Sequence, residues 1–141
     1  MYLVFIFMLT QAEAAANQPS LLNFIHDKDD IEVQVEQMRT VDNLSLTDIG
    51  HLRGRVGNEF LSMITTLRQN NEGPNGDFRL KDLFHQVHVE ISSYLFMLDD
   101  PDIMGNRTFR TRIFNNLYDY LRQVNRDAEA LANVHHPLEA I

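Results

Sequence analysis

Apolar residues recur along most of the chain at steps of three and four, the spacing that places them on one face of an α-helix. Clusters of glycine, proline, asparagine and aspartate divide this pattern into four segments after residue 16. No internal repeat or low-complexity tract interrupts it. The pattern therefore predicts an all-α domain built from four amphipathic helices.

Residues 21–41, the first segment, are compatible with two structures. Ile31, Val35 and Met38 follow helical spacing, whereas Ile31, Val33 and Val35 alternate as they would in a strand. Good helix formers follow Val35, and no partner strand is evident elsewhere in the chain. We therefore predict a helix, with a short strand as the alternative.

The other three segments have clear apolar faces and clear ends. The predicted boundaries are Ser45 or Thr47 before the second helix, residues 70–76 after it, Asp77 before the third helix, residues 99–102 after it, and Asn106 or Thr108 before the fourth helix. The predicted apolar faces are Ile49, Leu52, Val56, Phe60, Met63, Ile64 and Leu67; Leu80, Phe84, Val87, Ile91, Tyr94, Leu95 and Leu98, with Val89 and Phe96 as a second edge; and Phe109, Ile113, Leu117, Tyr120, Leu121, Val124, Ala128 and Leu131.

Four helices joined by loops of several residues predict a four-helix bundle, up-down-up-down by default, because short links force successive helices to run in opposite directions. A crossover topology is the alternative. It needs a long link, which only residues 27–45 could supply if part of that stretch is not helical. Gly50, Gly54 and Gly57 weaken the second helix, and we expect them to permit close packing of a neighbour.

The first sixteen residues have the layout of a secretory signal peptide. The apolar run Tyr2–Leu9 is followed by alanines at 12, 14, 15 and 16 that offer A-x-A cleavage sites. The run is shorter than the roughly 20 residues that cross a bilayer. We therefore predict a signal peptide at residues 1–16, a single domain at residues 17–141 and an extracellular location; a buried N-terminal helix of a cytosolic protein is the alternative.

Two sequons fit an exported protein. Asn43 and Asn106 each begin an N-x-S/T motif and lie where the chain is predicted to turn between helices, so both are candidate glycosylation sites. The chain contains no cysteine, which excludes disulfides and thiol chemistry. Its formal net charge of -8 argues against general nucleic-acid binding, and no segment after residue 16 suits stable membrane insertion.

The charge is unevenly distributed. Residues 27–42 contain six acidic and two basic side chains, whereas residues 107–126 contain five arginines and one aspartate. Opposite stripes of this kind suit neighbouring helices in a closed bundle, but each stripe could also be a solvated face or a docking surface.

The sequence contains no constellation that predicts catalysis. His85 and His88, three residues apart, are the best metal-binding pair, but no third ligand is identifiable. Serines 62, 92 and 93 lie inside helices without a nucleophile elbow. We therefore predict no enzyme activity, no cofactor and no metal.

The fourth helix carries the candidate binding surface, because arginine and aromatic side chains on an outer face can anchor a protein interface. The candidate receptor-binding residues are Arg107, Arg110, Arg112, Phe114, Tyr118, Arg122 and Arg126.

A secreted helical bundle with these stripes, for instance Leu80-x-x-x-Phe84-x-x-Val87-x-x-x-Ile91 and Phe109-x-x-x-Ile113-x-x-x-Leu117, resembles in architecture the helical cytokine superfamily of interleukin-6-like and interferon-like proteins. The resemblance implies a signalling protein that binds a cell-surface receptor through its bundle faces. The alternative function is a carrier of lipid or another small apolar ligand in the bundle interior.

Overall fold

The computed structural model describes residues 20–135, and all the regular structure within that range is helical. The helices are α1 (Leu21–Arg39), α2 (Leu46–Gly54), a π-helical segment (Arg55–Phe60), α3 (Leu61–Asn70), α4 (Phe78–Leu98), α5 (Pro101–Met104) and α6 (Arg107–His135). The predicted all-α class is confirmed. The predicted signal peptide lies outside the described residues.

Helix α1 confirms the helical interpretation of the first segment. It begins at a capping box in which the backbone N–H of Asn23 donates to Ser20 Oγ and the side chain of Asn23 accepts from the backbone N–H of Ser20. It then continues without a break to Arg39, so the acidic stretch is helical and the strand alternative is wrong. Only residues 40–45 link α1 to α2.

Helices α2 and α3 and the π-helical segment between them form one continuous helix, which we call the 46–70 helix. Ser45 caps it, since its Oγ accepts from the backbone N–H of Asp48 at 3.1 Å, and the backbone stays in the α-helical region through Gly54 and Phe60. The spacing of the buried apolar residues explains why this helix contains wider π turns. Positions 52, 56, 60 and 64 are all buried, and three successive steps of four would rotate the buried face by about 120° in a regular α-helix. A wider turn keeps these side chains on one face.

Close packing involves Gly57 rather than all three glycines of this helix. A Cβ atom at Gly57 would lie 3.2 Å from Leu95 Cδ2, so α4 approaches this turn closely. At Gly50 and Gly54 the nearest such atom is 3.9 Å away, which leaves room for a methyl group. The expectation of close packing is therefore met only at Gly57.

The later helices begin at the predicted aspartate and asparagine caps. Asp77 Oδ1 accepts from the backbone N–H groups of Arg79 and Leu80 at the start of α4. Residues 101–104, expected to be a turn, form the short helix α5. At the start of α6, Asn106 Oδ1 accepts from the backbone N–H of Phe109 at 3.1 Å.

Three phenylalanine rings occupy the centre of the core. Phe24 of α1 stacks on Phe60 of the 46–70 helix with centroids 5.4 Å apart, and meets Phe84 of α4 edge-on at 5.2 Å. The other buried apolar side chains come from all the helices: Ile31, Val35, Met38, Ile49, Leu52, Val56, Ile64, Leu67, Leu83, Val87, Ile91, Leu98, Met104, Phe114, Leu117, Leu121, Val124 and Ala128.

Three residues that the apolar pattern assigned to buried faces are exposed. Val89 and Phe96 are 53% and 80% exposed, so no helix of the described residues 20–135 covers the second edge predicted for α4. Phe109 is 49% exposed because Arg110, not Phe109, points inward in the first turn of α6. The prediction of burial is wrong for these residues.

Helix α1 packs most extensively against α6, and α3 packs against α4. Helix α4 also packs against α6, less extensively, and α1 contacts each part of the 46–70 helix. An ion pair supports this last contact, because Arg55 Nη2 lies 3.3 Å from Asp27 Oδ1 and 3.4 Å from Asp30 Oδ2. Each long helix therefore lies beside two others.

Lys28 is a fully buried lysine on the inner face of α1. Its Nζ is 2.6 Å from Glu32 Oε2 and 2.6 Å from Asp29 Oδ1, and these carboxylates are 20% and 51% exposed. The aliphatic stem thus lies in the core face while the ammonium group reaches carboxylates at its edge.

Replacement of Lys28 by methionine should leave the free energy of unfolding within about 1 kcal/mol of the wild type, because methionine keeps the volume of the stem and the two carboxylates remain accessible to water. Lys28→Ala should cost about 2–3 kcal/mol, because it leaves a cavity. Urea unfolding measures both variants. Equal losses would contradict the view that the packed stem provides the stabilisation.

Candidate functional site

The acidic stripe of the chain meets the arginine-rich stripe where α1 packs against α6. Arg107 donates to the Asp42 carboxylate, and Arg122 Nε lies 4.0 Å from Glu32 Oε1. The two stripes are therefore neighbours within the molecule, which was one of the sequence interpretations. These exposed pairs contribute little stability each, but they complement the charge along the boundary between the two helices.

Tyr118 lies at the centre of this boundary, between two arginines. The Arg39 guanidinium carbon is 4.0 Å from the centroid of the Tyr118 ring, and that of Arg122 is 5.7 Å from it. Tyr118 is half-buried, whereas Arg122 is 55% exposed. We call Arg39, Tyr118, Arg122 and Glu32 the Tyr118 cluster. Cation–π contacts of this kind contribute about 0.5–1 kcal/mol at exposed sites.

Two further arginines extend the cluster along the outer face of α6. At 100° per residue, Arg112, Arg122 and Arg126 project within an arc of about 80°. Arg112 and Arg126 are exposed and make no hydrogen bond or ion pair with residues 20–131. This arc therefore presents cationic groups that are available to a partner.

Two of the predicted binding residues are not on the surface. Phe114 is 1% exposed and belongs to the core. Arg110 is 9% exposed; its Nη1 donates to the Met104 carbonyl at 3.0 Å and its Nη2 to the Asp42 carbonyl at 2.9 Å. Their assignment to an exposed binding face is wrong, because the first turns of α6 face α5 and the link between α1 and α2.

Sequence reasoning also missed a contributor to the surface. Arg39 belongs to the acidic stripe and was counted there only as a minor charge, yet its guanidinium covers Tyr118. The sequence feature that could have indicated this contact is the position of Arg39 in the last turn of α1, just before a short link turns the chain back toward the bundle. Periodicity within one helix does not identify which side chain of another helix lies opposite.

A second concave surface lies between α4 and α6. It is an open groove of about 670 Å³ whose walls include Leu83, Val89, Tyr120 and Val124. Tyr120 of this groove lies beside Tyr94 of α4, with ring centroids 6.0 Å apart. Burial raises the pKa of the Tyr120 phenol well above its ordinary value, and the Glu90 carboxylate, Tyr94 and Asp127 add to the rise.

A third surface, an open groove of about 550 Å³, lies between the 46–70 helix and α4. The exposed ring of Phe96 and the backbone of Gly50 and Gly54 border it. An ion pair closes one end, with Arg53 Nη1 3.3 Å from Asp99 Oδ1.

The histidine pair does not form a metal centre in the described chain. His85 is exposed and His88 is half-buried on α4. Residues 20–135 contain no group of three or more histidine, aspartate or glutamate side chains placed to hold a metal ion.

We expect Arg110→Ala to lower the free energy of unfolding by about 3 kcal/mol, because it removes two hydrogen bonds from a charged group at a buried position, each worth about 1.5 kcal/mol or more. Arg112→Ala is the matched control. Its side chain is exposed, so the change should stay within about 0.5 kcal/mol. Urea unfolding compares the two, and similar stabilities would contradict the structural role of Arg110.

The raised pKa of Tyr120 predicts a loss of stability in alkali. The unfolded chain releases this proton near pH 10 while the folded protein retains it, so the free energy of unfolding falls as the pH rises above about 10. Tyr120→Phe should reduce that slope, by at most about 1.4 kcal/mol per pH unit. Thermal unfolding of both proteins between pH 8 and pH 11.5 tests this, and parallel curves would contradict it.

None of the helices between residues 20 and 135 is long and apolar enough to cross a bilayer. Comparison of the chain with protein families, curated proteins and solved structures finds no match. The arguments for function therefore come from the residues and geometry of this chain.

Proposed function

We propose that this protein is a secreted helical signalling protein, similar in architecture to the helical cytokines, that binds a cell-surface receptor through the Tyr118 cluster and the adjacent arginines of α6. The proposal includes the topology of the bundle, the route of export and the docking surface. Each rests on different residues.

An up-down-up-down four-helix bundle is the topology that the residue contacts favour. From Glu32 to Arg39 in α1 and on to Asp42 in the following link, the partners run in the opposite order along α6, from Arg122 to Tyr118 to Arg107. The 46–70 helix and α4 pair in the same opposed order: Gly57 faces Leu95 and Arg53 reaches Asp99. Opposed order at neighbouring helices supports antiparallel packing.

Secretion is supported by sequence features at several positions. Residues 1–16 combine an apolar run with A-x-A sites, and both sequon asparagines are exposed in the folded chain. Because the chain has no cysteine, an exported domain would have to be stabilised by its core alone, and the Phe24, Phe60 and Phe84 cluster belongs to such a core.

The Tyr118 cluster is the observation that carries the proposed receptor binding. Tyrosine and arginine dominate the energetics of protein interfaces. Two guanidinium groups contact the Tyr118 ring and Arg122 Nε lies 4.0 Å from Glu32 Oε1, so these side chains lose less freedom on binding than isolated surface side chains would. Arg112 and Arg126 add charge beside the cluster that can steer an acidic partner.

The carrier alternative has less support. A bundle that carries an apolar ligand needs an enclosed interior site, whereas three phenylalanine rings fill the centre of this core. The groove between α4 and α6 is open and includes Glu90 and Asp127 in its walls. A lipid mass retained by the purified protein in native mass spectrometry would favour the carrier.

Reversal of charge at the proposed surface should weaken receptor binding. The double variant Arg122→Glu and Arg126→Glu should weaken binding of the labelled, secreted protein to responsive cells or to an array of receptor ectodomains at least tenfold, because two cationic contacts become repulsive. Circular dichroism should stay unchanged, and the free energy of unfolding should fall by no more than about 1–2 kcal/mol, since both side chains are exposed and only Arg122 gives up contacts, with Tyr118 and Glu32.

Arg79→Glu is the matched control. Arg79 is 59% exposed in the first turn of α4, where a glutamate suits the helix dipole, and it is far in sequence from the cluster. Its binding should equal that of the wild type. Binding that survives the double variant, or falls equally in the control, would reject the Tyr118 cluster as the docking surface.

A further inference from the structure

The two sequons, 63 positions apart in the chain, meet at one end of the folded molecule. Asp42 immediately precedes Asn43, and Arg107 immediately follows Asn106. The Arg107 guanidinium donates to the Asp42 carboxylate, and Arg110 donates to the Asp42 carbonyl at 2.9 Å. An arginine side chain therefore spans the gap between the two sequons.

Both acceptor asparagines are free to carry a sugar in the folded state. Asn43 and Asn106 are exposed, in the links that precede α2 and α6. Asn106 Oδ1 accepts the capping hydrogen bond from Phe109, whereas its Nδ2 donates to no residue between 20 and 135. A bond at Nδ2 consequently leaves the helix cap intact.

We propose that Asn43 and Asn106 carry N-linked oligosaccharides side by side, so that one end of the bundle is covered by glycan. The inference rests on the secretion included in the proposed function. The donor is an oligosaccharide linked through its anomeric carbon to a lipid diphosphate in the secretory pathway. The amide Nδ2 forms the bond to that carbon, the bond to the diphosphate breaks, and the lipid diphosphate leaves with the amide proton.

The paired glycans restrict where a receptor can bind. They flank Arg107 and its partner Asp42, which removes this end of α6 from the docking surface. Tyr118 lies twelve residues after Asn106, about 18 Å along the axis of α6 at 1.5 Å per residue. Arg126 lies about 30 Å away. The glycan end and the Tyr118 cluster therefore separate a shielded part of α6 from an open part.

Occupancy is measured on the full-length chain secreted from a eukaryotic host, by intact mass before and after enzymatic removal of N-glycans. We expect two glycans on the wild type. Asn43→Gln and Thr108→Ala should each lose one, and both keep the helix caps, because Ser45 and Asn106 are unchanged. A secreted wild type with one glycan or none would overturn the inference.

The proximity of the sites is tested by the processing of each glycan. Two neighbouring glycans obstruct trimming enzymes, so the high-mannose fraction at Asn106 should fall when Asn43→Gln removes its neighbour, and the reverse should hold for Thr108→Ala. An unchanged fraction in both variants would overturn the side-by-side arrangement.

The two proposals fail in different ways. Secreted protein without sugar overturns the glycan inference while the Arg122→Glu and Arg126→Glu binding test stands. If the double variant keeps both its glycans and its receptor binding, the docking surface is overturned and the glycan inference stands.

Discussion

The contact between α1 and α6 is the interaction on which the arrangement of the other helices depends, because it joins the first and last helices of the described chain. Both helices contribute buried apolar residues, such as Val35 and Leu121, and burial of each such side chain is worth about 1.5–3 kcal/mol. Without this contact, α1 would keep its contacts with the 46–70 helix and the edge-on contact of Phe24 with Phe84 of α4. Packing of α1 against α6 also brings the oppositely charged stripes together, so the apolar pattern and the charge pattern favour the same pairing of helices.

The polar groups at this contact make different contributions to the free energy of unfolding. Arg110 is buried and donates to two carbonyls, whereas the Asp42 and Arg107 side chains that pair beside it are about two-thirds exposed. An exposed ion pair contributes about 0–1 kcal/mol, but an unpaired buried carbonyl costs about 1–3 kcal/mol. Arg110 therefore holds α5 and the residue 40–45 link against α6, and the surface pairs mainly adjust the charge around it. Its removal affects two connections at once.

Helical periodicity predicted most of the fold, because repeated apolar steps of three and four recover each buried face. It was correct for the whole series from Ile49 to Leu67, although the π turns that accommodate its steps of four were not foreseen. It failed at Phe109 and Arg110, where a buried arginine replaces the apolar residue, since the partners that satisfy Arg110 are backbone carbonyls without a sequence signature. Exposure of the candidate binding residues was predicted in part, since Tyr118, Arg122 and Arg126 are accessible and Phe114 is not. The contact of Arg39 with Tyr118 was missed because pairing between helices depends on three-dimensional packing.

The angle at which the side chains of α6 project separates those that stabilise the fold from those that form the proposed docking surface. Arg110, Phe114 and Leu117 face the core and its polar edge, so changes there alter folding first. Tyr118 lies at the boundary, where its ring meets Arg39 of another helix, so its loss affects the packing of α1 against α6 as well as the proposed surface. Arg112 and Arg126 face solvent without partners among the described residues, and their charge is therefore constrained by solubility and by any acidic partner, not by the fold. A partner that bound this arc would contact a tyrosine and an arginine that are already oriented by the packing of α1 against α6. Binding would therefore cost little side-chain conformational entropy.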